Sequence, residues 1–326
     1  MKKIDHLTII SLSSIKGVGP KKLQMLIGHV IENDIVIKTW EDLHDFLMTY
    51  APASIKVSED IAEDAFRNAR KIMYESERLG IGILTYFDEE YPEALRQTTT
   101  EDGKLDPPMI LYYKGNLEAL KKPGVAIIGT RNPTVEALTS GKTLSGEIAS
   151  LGYNIVSGLA LGCDSLAHVG ALNANGTTTA FLAHGLDAVY PVENTRLAMM
   201  IEKNGGLLLS EYPVGTRCNA YRLVARDRLQ AGLAKATVVI QTGVKGGTMH
   251  AVNSTLAAGK PLLAMRFEEH VMREPNVSGN TYLINKGAIP LNRTTDLKTL
   301  FGRIAPVSSV EEERELPKNE QLSLFD

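Results

Sequence analysis

Glycines and basic residues recur in this sequence where short apolar runs end. The runs VAIIG, NIVSG and TVVIQT are each followed by such a corner. The corner residues are Gly129, Arg131, Gly158, Gly162, Lys245, Gly246, Gly247 and Thr248. Backbone N–H groups at a helix start bind phosphate, and guanidinium and ammonium groups reinforce them. Because open α/β sheets bind ligands beyond the carboxyl ends of their strands, these corners predict one anion-binding crevice.

Three arginines could line this crevice. Arg131 precedes a predicted helix, where the positive helix end and a bidentate guanidinium can hold one phosphate. The alternative for Arg131 is an ion pair with a neighbouring carboxylate. Arg226 and Arg228, in YRLVARDRLQAGLA, would converge on the crevice if they flank a loop. The alternative is a solvated charged face on which Asp227 pairs locally, but the adjoining GVKGGT favours the crevice.

Two motifs resemble catalytic ones without fitting them. SGKT (140–143) lacks the first glycine of a P-loop, because Glu136 stands there, and it falls inside a predicted helix. Asp164 and His168 are spaced for an acid–base pair. A helix-capping aspartate and a hydrogen-bonded core histidine are the commoner outcome, and no elbow motif supplies a nucleophile. We therefore predict no catalytic residue.

Composition limits the class of protein. With 326 residues and 44% hydrophobic content, the chain can bury one large domain and one or two smaller ones. No run approaches about 18 uninterrupted apolar residues, and the start of the chain lacks a signal-peptide pattern, so we expect a cytoplasmic protein without membrane contact. Cys163 and Cys218 fit neither a disulfide framework nor a metal site. No metal and no cofactor are predicted.

The net charge of −3 is unevenly distributed. Residues 305–326 carry −4, so the rest of the chain is close to +1. Contact with nucleic acid would therefore depend on a local basic cluster rather than on the overall field.

The pattern of apolar residues divides the chain into four segments. Residues 1–80 show helical spacing and predict a small helical domain, whereas residues 81–124 predict a connector of strands and turns. In residues 125–302, strand-like and helix-like runs alternate, which predicts a Rossmann-like α/β domain. Its sheet would be mostly parallel, with helices on both faces. Residues 303–326 are polar and acidic and predict a disordered tail.

The helical segment contains IKGVGPKKLQMLI, which resembles a helix-hairpin-helix of a SAM-like domain. Gly17 and Gly19 would make a tight turn that presents N–H groups to a phosphate of duplex DNA, and Lys16 and Lys21 would reinforce the contact. A plain turn before a helix that begins at Pro20 explains the same residues equally well.

An ordered series of motifs resembles the DprA/Smf family of single-stranded DNA-binding recombination mediators. The series includes IGTR, VSGLALGCDSLAHVGAL, GLDAVYPVEN, GLLLSEYPVG, RDRLQAGLA, GGTMHAV and SGNTYLINKGA, and the resemblance covers residues 85–290. It implies a basic pocket that holds the DNA backbone, a homodimer, and loading of a RecA-type recombinase during DNA uptake, as in natural transformation. Arg131, Arg226, Arg228 and the run 245–247 match the family's basic and phosphate-loop positions.

The chain departs from the family pattern at several positions. Asp227 replaces an asparagine, Leu223 and Val224 replace a phenylalanine–proline pair, and Arg266 begins the segment where proline–glycine is expected. We expect such a chain to hold the bases differently from a protein that stacks them on an aromatic ring. A nucleotide-binding sensor or a nucleoside-phosphate hydrolase on the same fold is the alternative function. KGGTMHA, however, lacks the glutamate of such hydrolases.

The chain ends in a short apolar peptide. Its residues Gln321, Leu322, Leu324 and Phe325 resemble the peptide by which bacterial replication and repair proteins dock on the sliding clamp. Two leucines and a phenylalanine on a mobile tail can fill an apolar pocket of a partner. The alternative is a hydrophobic chain end without a partner.

Overall fold

Four helices form the N-terminal part of the structure, a computed structural model that describes residues 4–306. They are α1 (His6–Ser13), α2 (Pro20–Glu32), α3 (Trp40–Tyr50) and α4 (Glu59–Arg78). A capping box stabilises the start of α3. The Thr39 hydroxyl accepts the backbone N–H of Asp42, and the Asp42 carboxylate accepts the backbone N–H of Thr39. The apolar faces meet in one core that includes Leu23, Leu26, Ile27, Leu43, Leu47 and Phe66.

A single sheet of nine strands follows. The strands are β1 (Gly82–Thr85), β2 (Ile110–Gly115), β3 (Gly124–Ile128), β4 (Asn154–Ser157), β5 (Thr178–Leu182), β6 (Leu207–Ser210), β7 (Ala234–Val239), β8 (Leu262–Met265) and β9 (Ile289–Leu291). Their order is β1-β2-β6-β5-β4-β3-β7-β8-β9. The strands from β6 to β9 in this order are all parallel, while β1 and β2 pair antiparallel at one edge.

Helices cover both faces of the sheet. The helices of this part are α5 (Glu93–Arg96), α6 (Val135–Ser150), α7 (Cys163–Asn173), α8 (Thr195–Lys203), α9 (Ala220–Leu233), α10 (Thr248–Ala257), α11 (Glu269–Met272), α12 (Ser278–Asn285) and α13 (Leu297–Ile304). Val125 and Ile127 of β3 pack in the core under α6 and α7, whereas Ile128 packs in the core under α10 and α12. This alternation is that of a strand buried on both faces, and the predicted fold class is confirmed.

The chain reverses its direction of winding between β3 and β7. From β3 it proceeds through β4 and β5 to β6, and from β7 it proceeds the other way to β8 and β9. The helix that follows β3 and the helix that follows β7 therefore lie on opposite faces, which opens a crevice at the carboxyl ends of these two neighbouring strands.

Two segment boundaries differ from those expected from the sequence. The predicted connector, residues 81–124, contributes β1 and β2 to the main sheet. Helix α13 continues to Ile304, beyond the expected start of the tail, and Ala305 is fully buried in the same core as Phe301, whose ring lies 5.4 Å from that of Tyr153. Within residues 4–306, no helix combines the length and apolar character needed to cross a bilayer.

Candidate functional site

A cavity of about 520 Å³ lies in the crevice between β3 and β7. Its walls come from the corner after β3, the corner after β4, the first turns of α9, and the loop that joins β7 to α10. The lining residues include Gly129, Arg131, Asp164, Leu223, Val224, Arg226, Asp227, Gln230, Lys245, Gly246, Gly247 and Thr248. The volume is in the range of ordinary small-ligand sites.

The corner after β3 presents Arg131 at the rim of this cavity. The N–H of Thr130 donates to the carbonyl of Gln241 over 2.7 Å, and the Gln241 side chain accepts the N–H of Thr134 over 2.8 Å. These bonds tie the corner to the end of β7. Arg131 itself is exposed, with no ion-pair partner among the described residues. Its guanidinium is therefore available to an anion.

The loop from β7 to α10 brings a second exposed cation to the opposite wall. Lys245, Gly246 and Gly247 are all exposed, and α10 begins at Thr248. The turn closes with the N–H of Met249 donating to Gly246, so the N–H groups ahead of it lie at an open helix start. An anion here would meet N–H donors, the positive end of the helix and the Lys245 ammonium together.

Glycine is required at two positions in the corner after β4. Gly162 has φ +79°, and a Cβ on it would lie 2.4 Å from the Thr130 carbonyl oxygen. At Gly158 a Cβ would meet the Arg226 guanidinium. The first glycine allows the corners after β3 and β4 to touch, and the second makes room for the arginine beneath them.

Arg226 lies under the cavity and is only 4% exposed. One of its terminal nitrogens donates to the carbonyls of Gly158 and Phe181, at the ends of β4 and β5, and its Nε donates to Asp227 over 3.1 Å. The guanidinium therefore joins two strand ends to α9. Arg226 was predicted to line the crevice, and it does lie there. Its side chain is buried, however, and most of its N–H groups already donate to protein acceptors.

Arg228 lies elsewhere, which corrects the expectation that it converges with Arg131. Its guanidinium donates to both carboxylate oxygens of Glu211 and to Asp106, each at 2.7 Å. It lines a separate cavity with an acidic rim. The physical reason is the helix: α9 has already begun, and residues two apart on a helix point in nearly opposite directions.

Asp164 and His168 both have structural hydrogen-bond partners. Asp164 accepts the N–H of Ala160 in the corner after β4. His168 is fully buried, and its Nδ1 shares a hydrogen bond of 2.7 Å with the Thr178 hydroxyl. Burial, reinforced by the positive charge of Arg226, lowers the pKa of His168 to about 3, so the ring is neutral and unsuited to proton transfer near pH 7.

Sequence reasoning did not recognise Asp227 and Gln230 as part of the site. The Gln230 amide donates to Asp227 over 3.0 Å, while its own oxygen is buried without a partner among the described residues. Burial, together with the nearby Asp164 carboxylate, raises the pKa of Asp227 to about 6 against the lowering effect of Arg226. The sequence feature that could have indicated both residues is their spacing of three, which places them on one face of a helix.

The remaining family departures fall in two places. Leu223 and Val224 form an apolar wall of the cavity, and Tyr221, in the same turn, is 80% exposed. Arg266 lies away from this cavity, against the loop after β9. No group of three His, Cys, Asp or Glu side chains within the described range is placed to hold a metal ion.

The glycine-containing turn of the helical domain lies between α1 and α2. Gly17 has φ +91°, Gly19 precedes the helix, and Pro20 is its first residue. Lys16 and Lys21 are exposed beside this turn. The clamp-binding-like peptide, residues 321–325, lies outside the described part of the chain.

Known proteins resemble this chain over most of its length. The family model described as DNA recombination-mediator protein A matches residues 82–302. Protein Smf of Synechocystis is 31% identical over 328 residues, which cover 97% of this chain and 78% of the relative. DNA processing protein DprA of Bacillus subtilis is 28% identical, covering 80% of this chain and 88% of the relative.

Solved structures agree with this relationship. The structure of DprA from Streptococcus pneumoniae has a TM-score of 0.71 and 26% identity, covering 89% of this chain and 95% of that one. A Helicobacter pylori DprA structure, described as giving insight into single-stranded DNA binding, has a TM-score of 0.56 and 32% identity. It covers 64% of this chain and 90% of that one. With the sheet, the crevice and the family match together, this chain belongs to the DprA/Smf family of DNA recombination mediators.

Proposed function

We propose that the crevice between β3 and β7 binds the sugar–phosphate backbone of single-stranded DNA. The observation that carries this proposal is the convergence of Arg131, Lys245 and the start of α10 on one cavity. The two cations are exposed and approach from opposite walls. Backbone contacts of this kind carry little sequence information, so we expect weak sequence preference.

The arrangement fits a binding protein rather than an enzyme. Membership of a family of recombination mediators agrees with the prediction that the chain is not an enzyme. In the cavity, Arg226 keeps the corners in place while Arg131 and Lys245 contact the strand. Binding through phosphates releases counterions, so affinity should fall steeply with salt, by a slope of roughly 0.7 for each phosphate neutralised on a single strand.

The test is a salt-titrated binding assay that compares wild type with Arg131→Ala. We expect the variant to lose about tenfold or more in affinity for single-stranded DNA, since a charge-assisted contact contributes roughly 1.5–3 kcal/mol. Arg303→Ala is the matched control, because Arg303 is also an exposed arginine. It lies on α13, which packs near the amino end of β4, whereas the crevice lies at the carboxyl ends of the strands. Equal affinity of wild type and Arg131→Ala would contradict the site.

We further propose that the strand-bound protein acts as a homodimer and helps to load a RecA-type recombinase, in the cytoplasm, on DNA taken up by the cell. The family match supports this part of the proposal. Stimulation of recombinase filament formation on protein-coated single strands is the measurement. Arg131→Ala should reduce the stimulation in step with its loss of DNA affinity.

Two peripheral contacts complete the proposal. The turn between α1 and α2 would contact duplex DNA through Lys16, Gly17, Gly19 and Lys21. The double variant Lys16→Ala/Lys21→Ala should weaken duplex binding while leaving single-strand binding unchanged. A loss confined to single strands would contradict that role.

The C-terminal peptide would bind the sliding clamp. Support comes from its sequence, in which two leucines and a phenylalanine end an acidic segment. Leu324→Ala/Phe325→Ala should abolish capture of the protein by immobilised clamp, and Ser323→Ala serves as the control. Unchanged capture by the double variant would remove the clamp from the partners.

A further inference from the structure

Two carboxylates and one guanidinium lie together beneath the candidate DNA site. Asp164 is 7% exposed, and the Asp227 side chain is 15% exposed. Both carboxylates lie close enough to Arg226 for its charge to lower their pKa, and close enough to each other for Asp164 to raise that of Asp227. With both acids ionised, this buried cluster carries a net negative charge.

The two carboxylates differ in how they are held. Asp164 lies in the first turn of α7 and accepts the backbone N–H of Ala160, in the corner after β4. Among the described residues, Asp227 accepts only from the side chains of Arg226 and Gln230 on its own helix. Both acids line the cavity, but Asp164 is buried and Asp227 is partly exposed, so Asp227 is the more accessible of the two to a ligand.

Charged or titratable groups from several helices and loops lie around Asp227 or line the same cavity. They are Arg226 on α9, Asp164 on α7, His250 on α10, Arg131 in the loop after β3, and Lys245 in the loop after β7. His250 is engaged by Glu101, which lies 2.5 Å from its Nδ1. With its pKa raised to about 6, Asp227 changes its charge between pH 5 and 8.

We propose that Asp227 is part of the DNA site and takes up a proton when a phosphate of the strand enters the cavity. An ionised carboxylate beside a phosphate is repelled by it, whereas a carboxylic acid is not repelled and can donate its proton to an acceptor oxygen. The inference rests on the proposed function, because it concerns the same cavity and the same ligand.

The direction of the effect follows from linkage. Bound phosphate raises the pKa of Asp227 further, so the complex holds more protons than the free protein. Affinity is then highest below the pKa of the free protein, about 6, and falls as pH rises through the pKa of the complex. If binding raises that pKa by one unit, affinity changes about tenfold in total between the two limits.

The experiment measures the dissociation constant of an oligothymidylate from pH 5.5 to 8.5 at fixed ionic strength, because thymine does not titrate in this range. Wild type should bind about tenfold more tightly at pH 5.5 than at pH 8.5. Asp227→Asn keeps the shape and the hydrogen-bond acceptor without the charge. It should bind at pH 8.5 nearly as tightly as wild type does at pH 5.5, with little pH dependence.

His250→Gln is the control for the titratable group on α10, and it should retain the wild-type pH dependence. Equal pH dependence in wild type and Asp227→Asn would overturn the inference. If Asp227→Asn does not fold, calorimetry of wild type at pH 6.5 in two buffers of different ionisation enthalpy counts the protons instead. Zero uptake overturns the inference, and uptake supports it. Wild type that binds at every pH without pH dependence overturns only this inference, whereas absence of binding overturns the proposed function as well.

Discussion

Two pairs of basic residues near the crevice have opposite surroundings. Arg226 and Arg228 on α9 are nearly buried and hydrogen-bonded to carbonyls and carboxylates. Arg131 and Lys245, in loops at strand ends, are exposed and have no ion-pair partner among the described residues. The first pair joins strands, helix and loops into one unit, and the second pair is free to meet a ligand. A count of basic residues does not distinguish the two roles, but burial and partners do.

The difference also shows why the cations at the rim can be effective. An exposed arginine at the end of a strand loses little conformational entropy when it binds a phosphate, because neighbouring corners already hold its backbone. Here the holding is done by Arg226 and Gln241 beneath the rim. Arg226 and Gln241 thus prepare the geometry that the exposed pair uses.

The largest expected effect is on stability, in Arg228→Ala. Removal of this guanidinium leaves Glu211 and Asp106 without their cation, and breaking a buried pair costs about 3–5 kcal/mol. Urea unfolding is the measurement. Arg131→Ala should unfold at the wild-type urea concentration, and a similar loss in both variants would remove the distinction between the two pairs.

The next largest effect is expected for Gly162→Ala, which disturbs the corner that supports Arg131. Its Cβ would overlap the carbonyl oxygens of Thr130 and Arg131 in addition to the strain of a positive φ. Gly215→Ala is the matched control, because Gly215 has φ +82° and open space around it. The strain alone costs roughly 1–2 kcal/mol.

Gly162→Ala should therefore lower the free energy of unfolding well below that of the Gly215 variant. It should also weaken single-strand binding, since the position of Arg131 depends on this contact. Equal stability of the two glycine variants would show that the corners are not closely packed.

The smallest expected effect is that of Lys245→Ala. A lysine at an exposed phosphate contact contributes about 1 kcal/mol, so the affinity for single-stranded DNA should fall several-fold while stability stays unchanged. The salt dependence of binding should become shallower by roughly 0.7 in slope. An unchanged slope would place Lys245 outside the contact and leave Arg131 as the principal cation of the rim.

Part of the site followed from the sequence. The alternation of strand and helix patterns predicted the sheet, and glycines after β3, β4 and β7 predicted where the crevice would open. Gly162 illustrates the reason: a position that requires a positive φ and close backbone contact restricts the residue type so strongly that the sequence records it.

Other features could not be predicted in this way. The partner of Arg228, Asp106, is 122 residues away along the chain, so no local pattern links them. The helix that runs into the expected tail packs through Phe301 on Tyr153, which is even more distant in sequence. The sequence identified Asp227 only as a replacement of the family's asparagine. Its raised pKa could not be predicted, because it depends on how deeply the side chain is buried in the folded protein.

Local rules thus determined the fold class, the strand-end corners and the residue types that could hold an anion, since backbone conformation and apolar periodicity act over a few residues. Tertiary structure alone decided which cations remain exposed and which carboxylates lie beneath them. The reason is that desolvation and charge pairing depend on distances in space. A helix that turns by about 100° per residue sends Arg226 under the cavity and Arg228 away from it.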